Sequence, residues 1–423
     1  MKSLLGDEYE DFVASLSKDQ EKSLIVNTNK ISVKDFLNIV DFPLNSIAYE
    51  KSGFYIDNEK LGRHPLHHAG VFYIQEPSAM FTVNAYNFKG DEYVLDMCAA
   101  PGGKSIQIAN RIPNGLLVSN EINKKRSEIL YSNIERMGLT NVIVTNDTPE
   151  RISSAYANTF DVVLVDAPCS GEGMFRKGED MVNSWNPNLN DMCATRQLNI
   201  LEQANKALKN KGILIYSTCT YSKKENEDVV NSFIQKHNYK LVYIEADLPR
   251  GVEMPEAVRL YPHKVKGEGQ FVAVLQKNEQ NLLFANAKLK LQEHIKSTNF
   301  LKSEFNLKIS AYEYKNFTYF ILNPNMIKRD VNYVSLGVKL FDVSSKDIVP
   351  FHNLFTAFGK TMNNVLNLDF IDLNTHKYLR GETLDVSLTD GYGAVLINNC
   401  AVGGFKVCKG KFKNYYPKGL RNF

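Results

Sequence analysis

The chain has 423 residues, of which 43% are hydrophobic and 23% charged, and its net charge is +3. This composition is typical of a soluble globular protein, and the length predicts about two to three domains. The N-terminal sequence MKSLLGDEYEDF becomes acidic within ten residues, and no apolar stretch approaches membrane-spanning length. We therefore expect neither a signal peptide nor a membrane span, and we assign the protein to the cytoplasm.

Cysteine usage and the distribution of charge narrow the functional classes. None of the six cysteines forms a C-x-x-C pair, so we expect free thiols and no zinc site. Residues 281–423 carry 19 Lys and Arg against 11 Asp and Glu, and no acid follows Asp390. Beyond it, lysines alternate with Phe405, Phe412, Tyr415 and Tyr416. This mixture suits a nucleic-acid surface, which needs cations and stacking faces, and a solvated basic tail is an equally good interpretation.

The chain begins with a small α+β unit, residues 1–88. The pattern predicts a helix over Asp7–Ser17, a strand over Ser23–Val26 and a helix over Val33–Ile39. The tract from Phe54 to Glu76 is rich in aromatics and contains three histidines within five positions, His64, His67 and His68. Because no carboxylate or cysteine stands nearby at ligand spacing, we favour a loop or a lid facing the substrate over a metal site.

From residue 89 to 278, apolar runs alternate with helical periodicity, which predicts a mostly parallel, doubly wound α/β sheet. The predicted strands are Val94–Met97, Leu116–Ser119, Val142–Thr145, Val162–Val165, Ile213–Ser217, Leu241–Ile244 and Phe271–Leu275. The predicted helices between them include Asn123–Met137, Asp191–Leu208 and Lys223–Gln235. Since the seventh strand follows a loop, we expect it to run antiparallel to its neighbour. Residues 279–300 are a predicted linker, and 301–423 a β-rich region with short runs at Tyr319–Leu322, Val334–Leu336 and Ala394–Ile397.

The stretch from Val94 to Glu121 has the order strand, glycine turn, helix, strand, acid. In such a sheet, ligands bind at the carboxyl ends of the strands, and an acid after the second strand can hold ribose hydroxyls. The turn lacks the G-x-G-x-x-G dinucleotide fingerprint. Gly103-Lys104-Ser105 match the end of a phosphate-binding loop, and Asp166 after a strand could hold its metal, but Cys98 stands where that loop needs its first glycine. We therefore favour S-adenosylmethionine, which has a ribose but no phosphate, over a nucleotide triphosphate.

Two cysteines directly follow predicted strands. Cys169 follows the fourth strand and Cys219 the fifth, so both should open at the edge of the sheet where the ligand binds. Ser222 and Glu225 have the spacing of a capping box, which would place Cys219 before a helix start that favours the thiolate. The alternative is a pair of inert packing cysteines, because free cysteine is often buried.

A thiolate beside S-adenosylmethionine suits one reaction in particular. Carbon 5 of a pyrimidine has no lone pair, and attack by a thiolate at carbon 6 makes it nucleophilic enough to take a methyl group. A carboxylate such as Asp166 at the polar edge of the ring would favour cytosine, which offers an amine donor there.

Three motifs, DMCAAPGGK, DAPCSGEG and STCTYSKKENE, together resemble the RNA cytosine-5 methyltransferases of the Nop/Sun (RsmB/RsmF) family. The resemblance extends from about Tyr73 to Leu275 and includes YIQEPSAM and RLYPHKVKGEGQFVAVL. The N-terminal cap, the C-terminal region and the sequence YYPKGLR at Tyr415–Arg421 are most similar to the bacterial RsmF branch. This resemblance implies a Rossmann-like seven-stranded methyltransferase domain with an N-terminal α+β cap and a C-terminal PUA-like RNA-binding module.

The resemblance also implies the roles of individual residues. Cys219 would be the nucleophile, Cys169 would assist product release, and Asp166 would lie between cofactor and cytosine with Lys104 close to it. The implied cofactor-binding residues are Cys98, Ala99, Ala100, Pro101, Gly102, Gly103, Lys104, Glu121, Asp147 and Asp166. Tyr73, Gln75, Glu76 and Ser78 would either border the pocket or form a structural bridge. One departure is Ile25, which stands before Val-Asn-Thr where the family usually has an arginine, and this puts one phosphate contact of the cap in doubt.

From these features we expect an enzyme that methylates carbon 5 of cytosine in RNA, with S-adenosylmethionine as cofactor and no metal. The branch resemblance implies small-subunit (16S) ribosomal RNA, and transfer RNA is the alternative substrate. A non-catalytic RNA-binding assembly factor is the alternative from another class, although both cysteines and Asp166 are in place.

Overall fold

The computed structural model describes residues 1–57, 60–177, 185–186, 188–279, 282–344 and 348–421. Within these ranges the strands form four sheets: one in the N-terminal unit, a large central sheet, and two towards the C-terminus. None of the helices in the described ranges is both long and apolar enough to cross a membrane.

The N-terminal unit is a four-stranded antiparallel sheet with short helices. Ser23–Val26 and Val33–Ile39 have the predicted bounds, and the side chain of Ser32 caps the latter by accepting a hydrogen bond from the Asp35 amide at 3.0 Å. The predicted helix over Asp7–Ser17 is shorter, Tyr9–Leu16, because a 3₁₀ turn precedes it. The strands lie in the spatial order Asn45–Ile47, Glu50–Tyr55, Ser23–Val26, Phe72–Ile74, and the other helices are Lys2–Leu5 and Pro65–His68.

The three histidines lie at or in the short helix Pro65–His68 and pack against other side chains, and the expectation of a loop or a lid facing the substrate stays a prediction. His67 packs against Phe72 with ring centroids 5.5 Å apart, and burial lowers the pKa of His67 to about 3. The ring of His68 lies 2.8 Å from the Tyr416 hydroxyl of the C-terminal region. No cluster of potential metal ligands occurs among the residues that the structure describes. The tract therefore helps to join the two ends of the chain through a shared apolar core.

The central sheet is the predicted doubly wound sheet. Five strands run parallel, in the spatial order Leu208–Thr218, Phe160–Asp166, Tyr93–Asp96, Leu116–Asn120, Val142–Thr145. Gln270–Lys277 pairs antiparallel with Leu208–Thr218, which confirms the expected reversal of the last strand. Tyr239–Val242 pairs with Gln270–Lys277 and begins two residues before the predicted strand. The helices of this part are Pro77–Asn84, Gly103–Arg111, Lys124–Met137, Pro149–Ala155, Asn188–Ala207 and Glu227–Lys236.

Sequence periodicity missed strands at both edges of this sheet. Met254–Leu260 pairs with Gln270–Lys277 and continues to Arg250–Gly251, and its Pro255 and Arg259 hide the strand pattern. At the other edge, Tyr333–Ser335 pairs antiparallel with Val142–Thr145. The predicted run at Val334–Leu336 therefore belongs to the central sheet, although it lies far along the chain in the β-rich region.

The C-terminal region is β-rich, as predicted. Its strands are Gln292–Glu293, Tyr312–Tyr314, Phe317–Phe320, Val338–Asp342 and Val349–Pro350 in one sheet, and Val365–Leu368, Gly391–Ile397, Cys400–Cys408 and Lys411–Asn414 in the other. Its helices are Ile295–Phe305, His352–Phe358 and Leu373–Leu379. Ile295–Phe305 crosses the predicted boundary at residue 300, and the division of the chain into four segments remains a prediction.

The N-terminal unit, the central sheet and the C-terminal region meet at Lys30, a partly buried lysine. The Lys30 ammonium donates to the carbonyls of Ala69 at 2.7 Å and Ala401 at 2.8 Å, and more weakly to Arg136 O at 3.3 Å. Burial lowers the pKa of Lys30 to about 7. Ile25, where the family resemblance implied an arginine, is buried in an apolar cluster with Ile47 and Met80.

A buried ion pair secures the edge strand Met254–Leu260. Arg259 donates to Glu227 from Nε at 2.6 Å and from Nη2 at 2.5 Å, and both side chains are almost fully buried. We expect Arg259→Met to lower the free energy of unfolding by about 3–5 kcal/mol, because it leaves a buried carboxylate without its counter-ion. Thermal and urea denaturation of the purified protein measure this loss. Lys224→Met, which breaks the exposed pair with Asp191, is the control and should change stability little; equal losses in both variants would contradict the prediction.

Candidate active site

The turn from Cys98 to Gly103 leads from Tyr93–Asp96, the first of the five parallel strands in chain order, into the helix Gly103–Arg111. Gly102 has a φ of +118°, a conformation that side-chain-bearing residues rarely adopt. A Cβ atom at Gly102 would also lie 3.0 Å from Leu130 Cδ1. The Ala99 amide donates to Asn120 O at 2.8 Å, which holds the turn against the second strand. The turn thus keeps its backbone at the edge where the sheet binds ligands.

The N-terminal unit packs directly on this turn. A Cβ atom at Gly103 would lie 3.1 Å from both Tyr73 Cε1 and Gln75 Cδ, so a side chain here would require these two side chains to shift by a few tenths of an ångström. Glu76 caps the helix Pro77–Asn84 and also accepts a hydrogen bond from the Glu268 amide at 2.8 Å. The Ser78 hydroxyl accepts one from the Gly269 amide at 3.2 Å. These contacts favour a structural bridge as the role of Glu76 and Ser78.

Glu121 follows the second parallel strand, where an acid that holds a ribose is expected. Its side chain is buried, Oε1 accepts from the Asn123 amide at 2.9 Å, and Oε2 lies 3.4 Å from Arg126 Nη1. Each carboxylate oxygen therefore keeps a lone pair for a further donor. These two acceptor oxygens fit the ribose of S-adenosylmethionine, because the ribose has two hydroxyl groups that can donate to a carboxylate.

Asp147, at the end of the third parallel strand, is linked to the C-terminal region. Oδ1 lies 2.8 Å from Arg151 Nε, and Oδ2 accepts a hydrogen bond from the Asn332 amide at 2.6 Å. This contact lies two residues before the centre of the edge strand Tyr333–Ser335. Sequence analysis missed it because Asn332 is 185 residues away and carries no pattern of its own.

Asp96 ends the first parallel strand beneath the turn. Ser105 Oγ donates to Asp96 Oδ2 at 2.7 Å, and Oδ1 has no hydrogen-bond partner among the described residues. Burial raises the pKa of Asp96 to about 7, against an ordinary value of 3.8. Burial likewise raises the pKa of Cys98, so this thiol stays protonated.

Lys104 and Asp166 form an ion pair between the turn and the fourth parallel strand. Lys104 Nζ lies 2.7 Å from Asp166 Oδ2. Burial by itself would lower the pKa of Lys104, but the charge of Asp166 outweighs burial and raises it. Asp166 Oδ1 accepts from Ser217 Oγ at 2.7 Å and from Gln270 Nε2 at 3.1 Å, two partners that sequence analysis did not find. The Asp166 side chain is 29% exposed, so this acceptor faces an accessible space.

The structure brings the two predicted cysteines together. Cys169 Sγ and Cys219 Sγ are 3.2 Å apart, and both residues are partly exposed. The hydrogen bond to Cys219 and burial raise the pKa of Cys169 well above its ordinary value. Cys169 therefore keeps its proton and can donate it in a hydrogen bond to the neighbouring sulfur.

The predicted capping box at Ser222 and Glu225 does not form. Ser222 begins a 3₁₀ turn without a side-chain cap, and the following α-helix begins only at Glu227. The Glu225 carboxylate instead accepts a hydrogen bond from the Ser170 amide at 2.9 Å. A tertiary contact has displaced the local one, because the buried carboxylate finds better donors in the loop of Cys169.

The doubly wound sheet, the glycine turn, the acid after the second strand and the paired cysteines together define an S-adenosylmethionine-dependent methyltransferase. The family model "16S rRNA methyltransferase RsmB/F" matches residues 83–276. Models of the N-terminal domain of 16S rRNA methyltransferase RsmF and of the methyltransferase RsmF PUA domain match residues 1–77 and 365–422. The chain belongs to the RsmB/F family of methyltransferases, which confirms the predicted family, fold class, enzyme class and cofactor.

Relatives resemble the chain over nearly its full length. Ribosomal RNA small subunit methyltransferase F of Aeromonas salmonicida is 32% identical, over 97% of this chain and 93% of the relative. The protein of the same name from Escherichia coli O9:H4 is 31% identical, over 97% and 92%. A methyltransferase homologue from Pyrococcus horikoshii has 30% identity and a TM-score of 0.58, over 65% of this chain and 92% of that chain. NSun6 from Pyrococcus horikoshii, solved with SFG, has the same fold at 23% identity and a TM-score of 0.60, over 66% and 97%.

The raised pKa of Asp96 predicts a pH-dependent effect on stability. The folded state keeps this carboxyl protonated up to about pH 7, whereas the unfolded chain loses the proton near pH 4. The stability that protonation provides is therefore complete below pH 4 and is lost as the pH rises to 7. We expect the free energy of unfolding of Asp96→Asn to rise, relative to that of the wild type, by about 1.4 kcal/mol per pH unit between pH 4 and pH 7. Denaturation of both proteins at pH 5, 6, 7 and 8 tests this, and a difference independent of pH would show that Asp96 ionises normally.

Proposed function

We propose that this protein methylates carbon 5 of cytosine in small-subunit ribosomal RNA. The observation that carries the proposal is the 3.2 Å separation of Cys169 Sγ and Cys219 Sγ beside the Lys104–Asp166 pair. Methyl transfer to oxygen or nitrogen needs no thiol, whereas transfer to carbon 5 of a pyrimidine needs a nucleophile at carbon 6. The choice of RNA is supported by the names of the relatives and by the exposed lysines Lys409, Lys411, Lys413 and Lys418.

The C-terminal aromatics do not all support RNA stacking. Phe405, Phe412 and Tyr416 are buried in the core shared with the N-terminal unit, and only Tyr415 is partly exposed. The C-terminal surface therefore offers mainly cations, which bind phosphates whatever the base sequence. Selection of one cytosine then depends on the active site and on the shape of the RNA.

Cys219 acts as the nucleophile in the proposed reaction. Its thiolate forms a bond to carbon 6 of the cytosine, and the ring electrons move towards carbon 5. S-adenosylmethionine, when bound, supplies an electrophilic methyl group for carbon 5. After the proton on carbon 5 leaves, its electron pair restores the ring double bond and breaks the bond between Cys219 and carbon 6.

Cys169 and Asp166 act on either side of that step. The protonated Cys169, 3.2 Å from Cys219, is placed to donate a hydrogen bond to the departing thiolate. Asp166 accepts the amine hydrogens of cytosine, which uracil lacks. Lys104 compensates the negative charge that gathers at Asp166 and at the cysteines. The cofactor-binding residues are Cys98, Ala99, Ala100, Pro101, Gly102, Gly103, Lys104, Glu121, Asp147 and Asp166.

The proposed function predicts methyltransferase activity on ribosomal RNA that depends on Cys219. Purified protein incubated with labelled S-adenosylmethionine and small-subunit ribosomal RNA should form 5-methylcytosine, detected by nuclease digestion and chromatography. We expect Cys219→Ala to lower the rate by at least about a thousandfold, because no thiolate remains to activate carbon 5. Cys408→Ala, which removes an exposed cysteine, is the matched control and should retain full activity. Transfer RNA as the preferred substrate would overturn the ribosomal assignment, and no labelled RNA at all would favour a non-catalytic assembly factor.

The proposed role of Cys169 predicts that its loss prevents release of the methylated RNA. Cys169→Ala should transfer the methyl group and then remain joined to the RNA, because the departing Cys219 thiolate lacks its hydrogen-bond donor. A protein–RNA adduct that survives denaturing electrophoresis measures this trapped state. Adduct formation by Cys219→Ala instead would reverse the roles of the two cysteines.

A further inference from the structure

The loops that carry the two cysteines are tied together by carboxylates that cross between them. Glu225 belongs to the loop of Cys219, yet its Oε2 accepts a hydrogen bond from the Ser170 amide at 2.9 Å. Ser170 directly follows Cys169, so this bond fixes the backbone next to that thiol. Glu225 is fully buried.

A second carboxylate crosses in the opposite direction. Glu172 belongs to the loop of Cys169, and its Oε2 accepts a hydrogen bond from the Tyr221 amide at 3.0 Å, two residues after Cys219. The Gly173 amide donates to the carbonyl of Cys219 itself at 2.8 Å. A Cβ atom at Gly173 would lie 2.5 Å from that carbonyl oxygen, so the loops are already in the closest contact that the backbone permits.

Two amides on one helix complete this arrangement. Asn190 Nδ2 lies 2.8 Å from Glu225 Oε1 and 3.3 Å from Glu172 Oε1, and thus bridges the two carboxylates. Gln197 Nε2 donates to Glu225 Oε2 at 2.9 Å and to Pro168 O at 3.1 Å, on the other side of Cys169. We call Glu172, Asn190, Gln197 and Glu225 the cysteine clamp.

The cysteine clamp places two carboxylates in a buried region, which points to a role beyond packing. Two carboxylates share the donor Asn190 in a buried region, and the described contacts to them come from amide N–H groups rather than from a cation. Burying charge without a counter-ion lowers stability unless every acceptor is satisfied. Apolar side chains of similar volume would fill the same space, but they would not bind the Pro168 carbonyl and the Ser170 amide beside Cys169 or the Tyr221 amide after Cys219.

We propose that the cysteine clamp sets the distance between Cys169 and Cys219 so that Cys169 can act on the departing thiolate. Its members are positioning residues, since they contact the backbone beside the cysteines rather than the substrate. The inference rests on the proposed function, because it concerns the release step of that reaction. When the clamp loosens, Cys219 still attacks carbon 6, but release of the methylated RNA slows.

Glu225→Gln tests this inference with almost no change in volume. The carboxylate receives three N–H donors, and an amide in its place must turn its own NH2 towards one of them. We expect the covalent protein–RNA adduct to accumulate and release to slow by about tenfold to a hundredfold, the usual effect of displacing a reacting group by about 1 Å. The amount of adduct in denaturing gels and the rate of its decay are measured with full-length protein and small-subunit ribosomal RNA.

Three further variants make the outcome decisive. Glu172→Gln weakens the clamp from the other loop and should give the same adduct, which covers the case in which Glu225→Gln fails to fold. Glu50→Gln is the control, because this carboxylate is equally buried but has its partners outside both cysteine loops: it accepts hydrogen bonds from Ser52, Asn84 and Gln107 and pairs with Arg111 at 3.0 Å. It should lose stability without accumulating adduct.

Cys169→Ala separates failure of the inference from failure of the proposed function. If Cys169→Ala traps RNA and neither clamp variant does, the clamp is only structural and the inference is wrong. If Cys169→Ala traps nothing, the proposed release step itself is wrong. Adduct in Glu50→Gln as well would show that general destabilisation causes it, which would also overturn the inference.

Discussion

The active site depends on the parallel pairing of two strands, Phe160–Asp166 and Leu208–Thr218. Their register sets Asp166 opposite Ser217, and the chain leaves both strands within three residues of that pair. Each exit carries one cysteine, so pairing of the backbone brings two thiols together that are 50 residues apart in the sequence. A shift of one residue would turn one of these exits to the other face of the sheet. The buried apolar residues on both faces of the strands therefore fix the chemistry as well as the fold.

The ion pair of Lys104 and Asp166 connects the carboxyl end of the strand Phe160–Asp166 to the turn from Cys98 to Gly103, which we call the cofactor turn. Parallel pairing already sets Tyr93–Asp96, the strand before the turn, beside Phe160–Asp166, and the ion pair adds a side-chain contact between the ends of these strands. The ion pair is mostly buried, where an interaction between charges is screened little by water. The ion pair holds the Lys104 ammonium among several groups that carry or gather negative charge. Ser217 and Gln270 orient the Asp166 carboxylate from the other side. Lys104, Ser217 and Gln270 together thus hold both oxygens of the Asp166 carboxylate.

Local patterns in the sequence predicted those parts of the molecule that local interactions determine. Val142–Thr145 has the predicted bounds because an unbroken apolar run suits a strand buried on both faces. The errors occur where distant residues decide. Glu225 has the spacing of a capping residue but binds the other cysteine loop, and Phe405 is in a basic stretch but fills a core made with the N-terminal unit. A sequence pattern shows which side chains need a partner, but it does not show which distant partner they find.

The contacts around the cofactor turn imply that the central sheet does not form its site alone. Gln75 of the N-terminal part packs on Gly103, and Asn332 of the C-terminal region binds the carboxylate of Asp147. Lys30 holds all three parts at one point through backbone carbonyls. Both flanking parts therefore contact the ends of the central strands where the sheet binds ligands.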